Sequence, residues 1–145
     1  MKQQRHWFIL APILGLAAFV RFYGLDFGLP DLLHVDEPFE VHRALRLASG
    51  EFDFNRAGKG GLYYFLFIEM GLTFLLLYVT GVIDGVDAFI DYYIRHEHIF
   101  YFAGRVTIAI FGLLSVYILY QLGKMYGGRT TGLMAAFFLA LNPLH

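Results

Sequence analysis

The residues best suited to chemistry are two adjacent carboxylates, Asp36 and Glu37, and two cations, Lys59 and Arg105. A carboxylate can act as a general base that takes a proton from a hydroxyl or amine while that group attacks a carbon atom. A cation can hold a phosphate and stabilise the charge that develops when the phosphate leaves. Together these groups suit a substitution in which a phosphate is the leaving group.

The carboxylate pair has a second, structural interpretation. Pro38 suits the first turn of a helix and Gly50 suits its end, so the sequence predicts a short amphipathic helix over 38–49. Asp36 or Glu37 would then cap this helix and complement its dipole. The two roles are compatible, because a carboxylate fixed at a helix start is well oriented for catalysis.

The two cations differ in their surroundings. Arg105 lies in an apolar stretch, 99–122, where burying an arginine in hydrocarbon costs about 2.5–3.5 kcal/mol, so it requires a polar partner such as a lipid phosphate or an acidic side chain. Alternatively, the Arg105 side chain extends towards the lipid headgroups and keeps its charge in the polar region of the membrane. Lys59 precedes another apolar stretch and is either a phosphate contact or an interfacial anchor.

Metal binding has a weaker signal. Side chains that could serve as ligands of a divalent metal ion occur at and near the carboxylate pair and in one further tripeptide. They are His34, Asp36, Glu37, His42 and His96-Glu97-His98. Histidines in charged loops usually serve as plain polar residues, so no dedicated metal site is predicted. The sequence leaves the cofactor open.

Composition indicates a membrane protein. The 145 residues are 58% hydrophobic and 16% charged, whereas soluble domains average about 25% charged residues. A net charge of -1 gives no basic surface for nucleic acid, and the absence of cysteine excludes disulfides and thiolate chemistry. The aromatic cluster around positions 89–102 is typical of a membrane-interface belt.

The apolar runs predict an all-α, polytopic membrane protein with about three transmembrane helices. The first run, 7–25, suits a retained helix better than a cleaved signal peptide, because it continues into an arginine and aromatic residues. The predicted order is a transmembrane helix 7–25, an extracytoplasmic loop 26–98, a transmembrane helix 99–122, a cytoplasmic loop 123–129 and the start of a further helix over 130–145. The loop 26–98 contains the helix 38–49, a juxtamembrane or re-entrant helix 61–83 and a polar, aromatic-rich segment 84–98. The apolar ending indicates that the chain is part of a longer protein.

Charge asymmetry predicts the topology. Short cytoplasmic loops are enriched in lysine and arginine, so the basic N-terminus and the loop with Lys124 and Arg129 belong on one side. An even number of crossings must separate them, and the segment 61–83, with Glu69 and three glycines, is the best candidate not to cross. The alternative is three simple crossings.

The order of motifs resembles the N-terminal part of GT-C fold membrane glycosyltransferases, in the protein O-mannosyltransferase and aminoarabinose transferase group. The resemblance covers nearly the whole chain and depends on these stretches: Arg21-Phe22-Tyr23-Gly24-Leu25, Asp36-Glu37, Ser49-Gly50, Lys59-Gly60-Gly61-Leu62, Arg105 and Leu141-Asn142-Pro143. It implies that Asp36 is the catalytic base, that Glu37 is its acidic neighbour, and that Lys59 and Arg105 bind the lipid phosphate. Gly60-Gly61-Leu62 departs from the Pro-Pro-Leu turn of the family, which weakens the role of Lys59.

The resemblance further implies a polyprenyl-phosphate sugar donor, membrane lipid as surroundings and a requirement for the rest of the polypeptide. The expected location is the plasma membrane, or the endoplasmic reticulum membrane in a eukaryote, with the active face extracytoplasmic. The alternative is a non-enzymatic polytopic protein, such as a transporter segment or assembly subunit, in which Arg105 and Glu69 form an internal ion pair.

Overall fold

The computed structural model describes residues 7–31, 37–50 and 61–142, and this part of the chain is helical without strands. The five helices are α1 (Trp7–Phe22), α2 (Glu37–Ala48), α3 (Leu62–Val79), α4 (Val86–Arg95) and α5 (Glu97–Ala140). They divide into two compact units. The terminal unit contains Met1–Leu25 and Arg105–His145, and the central unit contains Asp26–Gly104.

Helix α5 contains a reversal of the chain. Gly128 has φ 82° and ψ -177°, which breaks the helix there. Beyond this turn, a Cβ on Gly132 would lie 2.5 Å from the carbonyl oxygen of Tyr120 and 2.9 Å from the nitrogen of Lys124. The residues before and after Gly128 therefore form a closely packed helical hairpin.

The core of the terminal unit joins α1 to this hairpin. Its buried side chains are Leu10, Ile13, Ala17, Val116, Tyr120, Ala136 and Ala140. The α1 members recur at intervals of three and four residues, the period of one helix face. Small residues such as Ala136 and Ala140 allow the helix backbones to approach closely.

The central unit packs α2, α3, α4 and the first turns of α5 around one core. Its buried side chains are Val41, Ala44, Leu66, Met70, Ile83, Phe89, Tyr93, Phe100 and Tyr101. Phe89 meets Phe74 and Phe100 edge to face, with ring centroids 5.4 and 5.8 Å apart. The interpretation of these aromatic residues as an interface belt is therefore wrong for Phe89, Tyr93, Phe100 and Tyr101, which fill the core.

Several predicted boundaries change. Helix α1 ends at Phe22 rather than at position 25, because Gly24 adopts a positive φ of 75° that stops the helix. Helix α2 begins and ends one residue before the predicted 38–49. Helix α3 ends at Val79 rather than at 83, where the Thr80 hydroxyl donates back to the Leu76 carbonyl and Gly81 has φ 74°.

Two further predictions are corrected. The polar segment 84–98 contains a helix, α4, whose buried Phe89 and Tyr93 stand four residues apart. The helix predicted over 99–122 begins at Glu97 and continues through the predicted loop 123–129 to the single turn at Gly128. Gly123 and Gly132 permit this, because neither has a side chain that would separate the two helices near the turn.

Two helices in the described part of the chain are long and apolar enough to cross a membrane, α3 and α5. Helix α1 is apolar but has 16 residues, about 24 Å at 1.5 Å per residue, against a hydrocarbon core of about 30 Å. The predicted full crossing by 7–25 thus exceeds the length of the helix observed there.

Candidate functional site: a cleft lined by two arginines

The terminal unit contains an open cleft of about 700 Å³ at the end of α1. Its polar lining comes from Arg21, Arg105 and Asn142, and its apolar lining from Val20, Leu25, Ile108, Ala109 and Gly112. Among the described residues that line it, none is acidic. The cleft therefore combines two cations with apolar walls.

Arg21 is positioned by the second half of the hairpin. Its Nη1 donates to the carbonyl oxygens of Ala17, at 3.2 Å, and Ala140, at 3.3 Å. Its Nη2 donates to the carbonyl oxygen of Leu139 at 3.1 Å. The last carbonyls of a helix lack partners within that helix and carry its negative dipole end, so a guanidinium is favourable there.

Arg105 is positioned by the chain that follows α1. Its Nη1 donates to the carbonyl oxygen of Leu25 at 2.7 Å. A carbonyl orients the guanidinium without changing its charge, and the side chain is part-buried. Arg105 thus presents a fixed positive charge to the cleft, as a phosphate ligand requires.

Sequence reasoning found only one of the two arginines. It noted Arg21 only at the end of the first apolar run and selected Arg105 and Lys59 as phosphate ligands. The signal for Arg21 was the same as for Arg105, namely a lone cation within an apolar run. Asn142 belonged to a stretch that carried the resemblance, but no site role was predicted for its side chain, because a single asparagine near the end of an apolar segment is unremarkable.

The predicted catalytic carboxylates belong to the central unit. Glu37 opens α2 and is half-buried, together with Glu40 in the same first turn. Asp36 lies outside the described residues, as does Lys59 in the stretch 51–60. Glu37 therefore belongs to the central unit and Arg105 to the terminal unit.

Glu37 interacts electrostatically with Tyr101, one of two buried tyrosines in the core of the central unit. The carboxylates of Glu37 and Glu97 both exert a field on the Tyr101 hydroxyl. Burial raises the pKa of Tyr93 above its ordinary value, and the nearby Tyr101 hydroxyl and Glu97 carboxylate raise it further. The Tyr93 phenol is thus neutral at physiological pH.

Glu69 occupies a separate, mostly apolar pocket in the central unit. Its neighbours there include Val41, Leu66 and Thr73, whose hydroxyl donates to the Glu69 backbone carbonyl at 2.9 Å. Glu69 and Arg105 lie in different units, so the ion pair of the non-enzymatic alternative stays a prediction.

No group of three possible metal ligands occurs within the described residues. Of the predicted donors, His34 and Asp36 lie outside that part of the chain. No protein-family model matches the chain, and no curated protein or solved structure matches it either. The chemistry of the residues themselves therefore carries the functional argument.

Proposed function

We propose that this chain is part of a membrane glycosyltransferase that moves a sugar from a polyprenyl-phosphate carrier to an acceptor on the extracytoplasmic face. The observation that carries the proposal is the cleft in which Arg21 and Arg105 stand between apolar walls. A soluble phosphate ligand needs cations alone. A polyprenyl phosphate needs cations for its headgroup and apolar surface for its first isoprene units.

The proposed step is a substitution at the anomeric carbon of the sugar. The oxygen or nitrogen of the acceptor forms a bond to that carbon, and the bond from carbon to phosphate oxygen breaks with its electron pair moving to the phosphate. The acceptor proton passes to the Asp36 carboxylate, with Glu37 as its acidic neighbour. Arg105 and Arg21 stabilise the charge that accumulates on the departing phosphate.

Helix α2 supports the placement of the base. It starts at Glu37, directly after Asp36 in the chain, and its buried residues Val41 and Ala44 fix it in the core of the central unit. Asp36 itself lies outside the described residues, so its position directly before this helix in the chain is what supports its role as the base. We also propose Lys59 as a phosphate contact. The family resemblance alone supports this role.

The test is a release assay in proteoliposomes with the complete polypeptide of which this chain is proposed to be part. The probes are polyprenyl-phosphate mannose and polyprenyl-phosphate aminoarabinose, and the readout is free polyprenyl phosphate formed in the presence of acceptor extracts. We expect Asp36→Asn to reduce release by about 100-fold or more, within the contribution of general-base catalysis, while donor binding is retained. Release by Asp36→Asn at the rate of the unaltered chain would refute Asp36 as the base. Binding of donor without any release by the complete, unaltered polypeptide would favour the non-enzymatic alternative.

A further inference from the structure

A second basic surface lies on α2, in the central unit, and the proposed sugar transfer does not use it. Phe39, His42, Arg43 and Arg46 line a shallow cleft of about 600 Å³. We call these four residues the α2 basic patch. They recur at intervals of three and four residues along the helix, so they share one side of it.

The opposite side of α2 faces the core. Val41, Ala44 and Leu47 are buried, and the first two pack in one cluster with Leu66 and Met70 of α3. Helix α2 is therefore amphipathic with a fixed orientation, and its basic patch points away from the core.

The cations of the patch are oriented. Arg43 lies 3.8 Å from the Glu40 carboxylate and 5.6 Å from the centroid of the Tyr63 ring, which holds the guanidinium in place. His42 is exposed, and its Nδ1 donates to the Pro38 carbonyl at 2.7 Å. Glu40 balances at most one of the two arginines, so the patch keeps a net positive charge.

Large apolar side chains are exposed both within the patch and on the helix that α2 packs against. Phe39, within the patch, is 67% exposed. The helix that α2 packs against, α3, exposes Leu72, Leu76 and Val79, each more than 60%, and is one of the two helices suited to cross a membrane. An amphipathic helix with basic residues and exposed aromatic side chains is typical of the interface between headgroups and acyl chains.

We propose that the α2 basic patch binds the phosphate of an anionic membrane glycerophospholipid. Arg43 and Arg46 hold the phosphate oxygens, and Phe39 contacts the glycerol and upper acyl region of the same lipid. Positive patch and anionic headgroup are complementary, and the exposed phenylalanine favours a lipid over a soluble anion. This site is separate from the cleft of Arg21 and Arg105 and does not depend on sugar transfer.

The test is native mass spectrometry of the full chain in detergent, titrated with phosphatidylglycerol or with phosphatidylcholine of the same acyl chains. All variants carry Arg105→Gln, so that binding in the terminal unit is suppressed and the two sites are tested separately. We expect phosphatidylglycerol to bind more tightly, and Arg46→Gln to weaken its binding roughly fivefold, the effect of one basic residue at an anionic surface. Arg46→Lys should retain the binding.

The matched control is Arg95→Gln, which removes an exposed arginine from the last turn of α4 in the same unit. It should leave phosphatidylglycerol binding unchanged, and circular dichroism should show equal helicity for all variants. Equal losses in Arg95→Gln and Arg46→Gln, or equal affinity for the two lipids, would overturn the proposal. Displacement of the lipid by glycerol phosphate at comparable concentration would also overturn it, because the site would then take a free phosphate.

Discussion

At the scale of single residues, lone cations within apolar runs carried the most information. Arg105 was recognisable from its sequence surroundings, and the structure places it at the wall of a cleft. The partners of Arg21 were not recognisable. They are the carbonyls of Leu139 and Ala140, 118 and 119 positions away, and every residue has a carbonyl. A single sequence predicts that a buried arginine needs acceptors, but not which ones.

Arg21 should contribute to the stability of the terminal unit. Arg21→Gln removes the bonds from the guanidinium to the end of the hairpin, so we expect a loss of about 2 kcal/mol in the free energy of unfolding, as for charged hydrogen bonds. The measurement is unfolding of the chain in mixed micelles, followed by circular dichroism. Arg21→Lys keeps the charge but reaches fewer carbonyls. Its free energy of unfolding should therefore lie between those of the unaltered chain and Arg21→Gln. Unchanged stability in Arg21→Gln would show that these bonds are unimportant.

Tyr93 should titrate late. Because burial raises its pKa, the folded state holds this proton after the unfolded state has released it, so stability is full below pH 10 and falls as pH rises further. Absorbance of tyrosinate near 295 nm should lose its latest component in Tyr93→Phe. In denaturant, the absorbance titration of Tyr93→Phe should instead have a smaller amplitude than that of the unaltered chain near pH 10, the ordinary tyrosine pKa being about 10. Loss of an early component from the folded variant would contradict the burial of this phenol.

At the scale of helices, the sequence predicted that a helix is present better than it predicted the residues at which the helix begins and ends. Helices α1 and α3 follow from their apolar runs and α2 follows from Pro38 and Gly50, and their ends changed by a few residues. Helix α5 replaces two predicted helices and the loop between them. The ends depend on glycines with positive φ, such as Gly24 and Gly128, and glycine also occurs inside helices. Helix α4 was missed because its charged residues Asp87, Asp91 and Arg95 outweighed the i, i+4 pair of Phe89 and Tyr93.

The hairpin in α5 should depend on Gly132. In Gly132→Ala the new methyl group would overlap backbone atoms of Tyr120 and Lys124, which cannot move as a side chain can. We expect a loss of about 1–3 kcal/mol, as for overpacked sites, measured by the same micelle unfolding. The matched control is Gly71→Ala in α3, where nothing lies within 4 Å. Alanine is a better helix former than glycine by about 1 kcal/mol, so the control should be neutral or stabilised, and equal effects at both sites would contradict the close packing.

At the scale of the whole molecule, charge distribution sets the expected topology. All twelve acidic residues lie between Asp26 and Glu97. Within the terminal unit, Arg21 at the C-terminal end of α1 contacts Ala140, far from the Gly128 turn. The N-terminal end of α1 and the basic turn thus share one end of this unit, the arrangement that positive charges on one side of a membrane require.

Single cysteines can test the sidedness, because the chain contains none. We expect an impermeant thiol reagent to label Asp36→Cys from the extracytoplasmic side and Tyr126→Cys from the other side. Leu75→Cys, in the apolar α3, should resist labelling from both sides. Labelling of positions 36 and 126 from the same side would contradict the topology, and the cysteine-free chain is the control for background.

The most direct test of the central claim is the affinity of the full chain for undecaprenyl phosphate compared with undecaprenol, its uncharged alcohol, in nanodiscs of phosphatidylcholine. If Arg21 and Arg105 hold the phosphate of a lipid carrier, the phosphate should bind at least about tenfold more tightly, since a charged hydrogen bond contributes about 1.5 kcal/mol or more. Arg105→Gln should remove most of this preference, and Arg129→Gln, an exposed arginine elsewhere in the terminal unit, should leave it intact. Equal affinity for the phosphate and the alcohol, or an unchanged preference in Arg105→Gln, would contradict the account.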